Sequence, residues 1–247
     1  MAKVIEKTVY SFEELNGRAK ERALQTLSEW ATEDSWWYES ILDDFAELAE
    51  LFGFELEESG RRKAVYFSGF WSQGDGASFD ATYRGRLGAF DRVKQHAPTD
   101  EKLHAIAREL DDAFRDVYRA LVRYVPDDMR AHFRHDVLRY GLRGLHTERN
   151  SYSTHYCHES TRHIGGRLEL VEDTDYFGWV TWRSAEEAAI KEAADNYAGA
   201  VESARYDLCR WLYRALETEY RWQTSEETLA GIAAANDIFF DEKGDHA

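Results

Sequence analysis

Proline is almost absent: Pro98 and Pro126 are the only two in 247 residues. That excludes proline-rich linkers and leaves long helices uninterrupted. Cysteine is as scarce. Cys157 and Cys209 fall in different elements with no framework spacing, which predicts reduced thiols rather than a disulfide scaffold. There is no Cys-x-x-Cys pair and no His-Glu-x-x-His, so no recognised metal motif is expected. No apolar run approaches the roughly 20 residues of a membrane span, and the opening Met1 to Lys7 lacks an apolar signal core. A cytoplasmic protein without membrane contact is the expectation. Basic residues are also in deficit, 31 against 47 acids, for a formal charge of −16. Such a field repels phosphate backbones and disfavours general nucleic-acid binding. The acids alternate with Arg and Lys along helical faces, as solvated helix surfaces do.

Apolar material is plentiful, at 43% hydrophobic and 14% aromatic residues. The chain shows no repeat, low-complexity segment or linker, which predicts a single α+β domain over residues 1–247. A short strand is expected over 3–10. Ser11 with Glu14 three residues later reads as a capping box for a helix reaching Trp30. A second helix is expected from Asp34 to Phe52, ended by Gly53. Strands are expected at Phe54 to Leu56, Ala64 to Phe70 and Phe79 to Tyr83. A helix near Leu87 breaks at Pro98, and a longer one begins at Thr99, its apolar residues recurring every three or four positions until Pro126. Further strands are expected over 151–158 and 167–171. Residues 185–222 give the strongest helical pattern, with Ile190, Ala194, Tyr197, Val201, Ala204, Leu208, Trp211 and Ala215 four and three apart. That seam would bury against strands or against a second copy, so a homodimer is expected. Ser225 caps a last short helix, and Ile238 to Phe240 form a terminal strand. The unequal helices do not alternate with strands as a parallel βαβ fold requires. The fold class is therefore α+β, an antiparallel sheet of short strands covered by several long helices.

Phe67 to Phe79 is the stretch that carries chemistry: Phe-Ser-Gly-Phe-Trp-Ser-Gln-Gly-Asp-Gly-Ala-Ser-Phe. A packed strand does not need three glycines, and a solvated loop does not need Phe70 and Trp71. The combination suits a backbone that approaches something closely, with aromatic walls and polar groups to orient it. The spacing is not that of a phosphate loop or a dinucleotide fingerprint. Asp75-Gly76 is a strong turn signal, which places the stretch at a hairpin tip. Ser68, Phe70, Trp71, Gln73 and Asp75 are the expected ligand-binding residues. His155, His158 and Arg162 join them as donors for a phosphate or a polar ligand. His155, His158 and His163 surround Cys157, but on a strand they do not share one face, so no metal is expected. No residue has a catalytic signature, and no cofactor is expected.

The chain resembles a family of hypothetical proteins common in bacteriophage genomes and labelled "antitoxin of toxin–antitoxin stability system". Five segments carry the resemblance, in order: Tyr10 to Leu15, Tyr66 to Ala77, His155 to His158, Leu216 to Tyr220, and Ser225 to Glu227 with Ala235-Asn236. The chain departs from the family pattern in a longer stretch between about Tyr124 and Ser151, and in Thr154 and Glu159 flanking the histidines. The resemblance implies a phage or prophage origin and a role in the host cytoplasm.

Three functions are then expected in order. The first is a non-enzymatic binding protein in counter-defence or host takeover, sequestering a small nucleotide-like ligand or a host protein. The second is an antitoxin-like protein–protein inhibitor. The third is a phosphoester hydrolase using Asp75 with His155 or His158. It is disfavoured because the loop holds a single ionisable side chain.

Overall fold

Helical periodicity and strand propensity give an α+β fold in the computed structural model, which describes residues 6–60, 62–123, 125, 127–128, 130–131, 133–134 and 184–247. The expected strands at 151–158 and 167–171, and the side chains of His155, Cys157, His158, Arg162 and His163, lie outside these residues. The described chain forms two compact units. One holds the residues up to Leu42 together with Arg214–Ala247; the other holds the described residues between Asp43 and Tyr213.

The first unit brings the two ends of the chain together. Ser11 and Glu14 do form the capping box, with the Ser11 N–H donating to Glu14 Oε2 at 2.8 Å. It caps one 3-10 turn, Phe12–Glu14, and not the long helix. Leu15 is extended (ψ 148°) so that its side chain enters the core, and α1 (Gly17–Glu33) starts afresh after Asn16. Phe12, Leu15, Ala23 and Leu27 pack with Leu229 and Ala233 of α6 (Glu226–Ala235) and with Phe240. Ser225 caps α6, its Oγ accepting the Thr228 N–H at 3.3 Å. Tyr10 and Phe240 exchange both backbone hydrogen bonds, at 2.8 and 2.9 Å. Among the described residues each expected terminal strand shows only a bridge, Phe240 pairing with Tyr10 and with His246; residues 3–5 of the first expected strand lie outside them.

The second unit is built on three two-stranded antiparallel ribbons, where the sequence suggested one sheet. They are β1 (Phe54–Leu56) with β6 (Ala81–Tyr83), β2 (Glu58–Ser59) with β3 (Arg62–Lys63), and β4 (Val65–Phe67) with β5 (Ala77–Phe79). Glu57, Ala64 and Asp80 are the three residues between consecutive strands. Their backbones form a closed ring: Glu57 N–H donates to Asp80 C=O at 2.9 Å, Asp80 N–H to Ala64 C=O at 2.9 Å, and Ala64 N–H to Glu57 C=O at 2.7 Å. Each strand pair starts one residue away from this ring. The chain therefore changes partner at each node residue instead of adding strands side by side. Every donor and acceptor in the ring is paired, which lets a buried Ala64 sit where three ribbons meet.

Helices cover the ribbons through aromatic side chains. Phe45 of α2 (Trp36–Phe52) meets Phe79 edge-on at 5.2 Å between ring centroids, and Phe79 meets Phe54 at 5.5 Å. Phe114 of α4 (Glu101–Val122) and Tyr197 of α5 (Ser184–Gln223) pack edge-to-face at 5.9 Å. The Tyr197 hydroxyl meets that of Tyr83 at 2.8 Å, fully buried. Burial pushes both phenols well above their usual pKa, so they stay neutral and the pair is a plain hydrogen bond. Of the heptad seam, Ala194, Tyr197, Val201, Ala204 and Leu208 are buried within the chain.

Two aspartates fix the helix starts. Asp100, not Thr99, caps α4, accepting the Lys102 and Leu103 N–H groups at 3.0 Å. Asp111, buried in α4, caps its neighbour α3 (Ala89–His96) by accepting the N–H groups of Gly88, Ala89 and Phe90 at 2.9, 3.0 and 3.1 Å.

Candidate functional site

The glycine-rich loop is the tip of the β4–β5 ribbon, as the sequence predicts. Ser68 closes its base: the Ser68 N–H donates to Gly76 C=O at 3.0 Å, and the Gly76 N–H returns to Ser68 Oγ at 3.2 Å. The turn itself lies earlier than Asp75-Gly76. Asp75 N–H donates to Ser72 C=O at 3.0 Å, so Gln73 and Gly74 are the central turn residues. The Asp75 carboxylate explains the shift. Its Oδ2 accepts the backbone N–H of Trp71 at 2.7 Å and of Ser72 at 2.5 Å, which pins the far end of the loop to the near end. Gly69 makes room for this: a Cβ there would lie 3.4 Å from Asp75 Oδ2.

The aromatics divide into two roles. Phe70 is half-buried, stacked on Phe67 at 6.2 Å and tilted against Tyr213 of α5 at 5.5 Å. The Tyr213 hydroxyl also donates to Gly69 C=O at 3.3 Å. Phe70 thus ties the loop to α5. Trp71, next in sequence, is turned outward and 76% exposed, the most exposed large apolar side chain among the described residues. Ser72 and Gln73 are exposed beside it.

The structure therefore brings Ser68, Phe70, Trp71, Gln73 and Asp75 into one loop and gives them different work. Ser68, Phe70 and Asp75 hold the shape, while Trp71 and Gln73 are presented. Whether His155, His158 and Arg162 adjoin the loop falls outside the described residues. Sequence reasoning missed Tyr213. A single tyrosine one step off a helical seam has no motif, and its role emerges only when α5 meets the hairpin. Among the described residues no group of His, Cys, Asp and Glu could hold a metal ion, and no helix is long and apolar enough to cross a membrane.

A hairpin tip closed by its own hydroxyl and carboxylate and braced on a helix defines an α+β protein with a presented aromatic. Residues 37–226, more than three quarters of the chain, match the model of a domain of unknown function, DUF8835. The chain belongs to that family. No curated protein and no solved structure matches it.

Proposed function

We propose that this is a binding protein that presents Trp71 on a braced hairpin tip to a host protein, in a phage counter-defence or host-takeover role in the bacterial cytoplasm. The observation that carries the reading is the 76% exposure of Trp71 in a loop whose shape is held by other side chains. Large aromatics at protein interfaces supply most of the binding energy from a few positions. A loop already ordered loses less conformational freedom on binding. Asp75 supports binding over phosphoester hydrolysis, because its carboxylate is engaged in holding the loop, with one oxygen accepting two backbone N–H groups. An antitoxin-like inhibitor is the same physical event with a toxin as partner.

A nucleotide-like ligand is the second reading, favoured by an exposed indole beside the amide of Gln73 and the hydroxyl of Ser72. Purification of the wild-type chain and of Trp71→Ala from host cells, followed by native mass spectrometry, separates the readings. A stoichiometric host protein held by the wild type and lost from the variant is the expected result. A released small molecule lost in the same way moves the assignment to the second reading. Identical profiles remove Trp71 from any recognition role.

A further inference from the structure

We infer that Asn16 is a self-modifying site, at which the backbone nitrogen of Gly17 attacks the side chain and turns its amide into a carboxylate. Of the four asparagines in the chain, Asn16 alone is followed by glycine, the neighbour that least obstructs such a ring closure. Both residues are exposed, and a Cβ built on Gly17 would meet nothing within 4 Å. An asparagine before a helix ordinarily spends its side chain on capping. Asn16 stands at the N-cap of α1, yet its side chain makes no cap bond. The peptide joining it to Gly17 is held as loosely. Its N–H belongs to the first helical residue, which has no acceptor within the helix. Its carbonyl accepts the Lys20 N–H at 3.4 Å, longer than the usual range of about 2.7–3.2 Å. Bringing Asn16 Cγ onto the Gly17 nitrogen requires rotation from a ψ of 164°, and that rotation breaks only this one long bond. Gly17, at φ +51°, absorbs the change without a side chain. The chain's one Asp-Gly pair, Asp75-Gly76, is built the opposite way. Its carboxylate accepts two N–H groups, and the buried Gly76 donates to Ser68 Oγ at 3.2 Å. Asn236 is tied down as well, its Nδ2 donating to Ile232 C=O at 2.8 Å.

The Gly17 nitrogen bonds to Asn16 Cγ and gives up its proton, the Cγ–Nδ2 bond breaks, and ammonia leaves. Water then opens the cyclic imide at either carbonyl, giving aspartate or isoaspartate. The net reaction consumes one water and releases one ammonia, with nothing oxidised or reduced. The aspartyl product places a negative charge at a helix start whose first turn holds no acid, which favours α1. The isoaspartyl product adds a methylene to the backbone between the buried Leu15 and α1, which loosens the start of the helix.

The test holds the full chain at mildly alkaline pH, folded and in denaturant, and follows each asparagine by digestion and mass spectrometry. In the folded chain, conversion is expected at Asn16 before Asn196 or Asn236, and faster as pH rises because the attacking nitrogen must lose its proton. A cap bond of ordinary strength would slow the reaction by about 2- to 30-fold, and Asn16 lacks one. A folded rate more than about 30-fold below the denatured rate would show that the fold protects Asn16 and would overturn the assignment. Earlier conversion at Asn196 or Asn236 overturns it too. The aspartyl and isoaspartyl forms, separated by chromatography, are then compared with Asn16→Asp. Hydrogen exchange at the Leu15 and Lys20 amides is expected to speed up in the isoaspartyl form alone. Equal exchange in all three would overturn the link between this modification and the start of α1.

Discussion

Replacing Asp75 by Ala should free the hairpin tip without unfolding the protein. The carboxylate accepts two N–H groups, from Trp71 and Ser72, on the exposed side of the loop. Hydrogen bonds to a charged group contribute about 1.5–3 kcal/mol each when shielded, and water replaces much of that at an exposed site. A combined local loss of about 2 kcal/mol follows, or about a 30-fold rise in the opening equilibrium. The readout is hydrogen exchange at the Trp71 and Ser72 amides, which should speed up by about that factor. The Ser68–Gly76 closure and the ribbon register do not use the carboxylate. Global stability should therefore change by less than about 1 kcal/mol, a Tm shift under about 4 °C for a chain of this size. Asp75→Asn keeps one carbonyl acceptor and should give an intermediate exchange rate. Unchanged exchange in Asp75→Ala would refute the claim that this side chain orders the loop. A Tm drop of about 10 °C would show instead that the tip is part of the folding core.

Three further outcomes are expected. Tyr197→Phe removes the hydrogen bond between the two buried hydroxyls and should destabilise by about 1–3 kcal/mol in chemical denaturation, less in a chain that already carries Tyr83→Phe. Gly244→Ala places a Cβ 2.0 Å from the Ala19 carbonyl oxygen at a φ of +86°, so it should cost more than about 2 kcal/mol and expose the Tyr10 and Phe240 amides to exchange. Burial pushes the Asp100 carboxyl up, but the N–H groups of Leu103, Trp211 and Lys102 outweigh this and hold it below the usual value. Its contribution is complete above the unfolded value of about 3.9 and is lost as pH falls through the lower folded value. Trp211→Phe removes the indole donor at 2.8 Å, so acid unfolding followed by circular dichroism should begin at higher pH.

The helices were legible because each has its own record in the sequence. Leu103, Leu110, Phe114, Val117 and Leu121 repeat at helical spacing, and Ser225 sits where a cap is needed. Strands of two ribbons were legible, since Phe54 to Leu56 and the flanks of the glycine loop are short β-forming runs, whereas the Glu58–Lys63 ribbon was not expected and the single strand expected from Phe79 to Tyr83 is divided at Asp80 between β5 and β6. Their arrangement was not. The ring through Glu57, Ala64 and Asp80 uses only backbone groups, which every residue has, so no side-chain pattern announces it. The break after Glu14 was hidden for a related reason. Leu15 satisfies a helical stripe and an extended, buried position equally well. Within the loop, composition marked the right residues but not their division of labour. Asp75 reads as a turn residue or as an acid, and only its bonds to Trp71 and Ser72 decide between them.

The three-way backbone ring makes the arms of this fold separable. A conventional sheet transmits a change in one strand to its neighbours through shared ladder bonds. Here each ribbon ends at the ring and shares no ladder with the others. The β4–β5 arm could be lengthened in register, or its tip exchanged, while Leu56–Ala81 and Glu58–Lys63 keep their pairing. Family members would then be free to diversify what the tip carries without re-evolving the core. The same property makes the chain a scaffold for grafting foreign hairpins at Ser68 to Gly76.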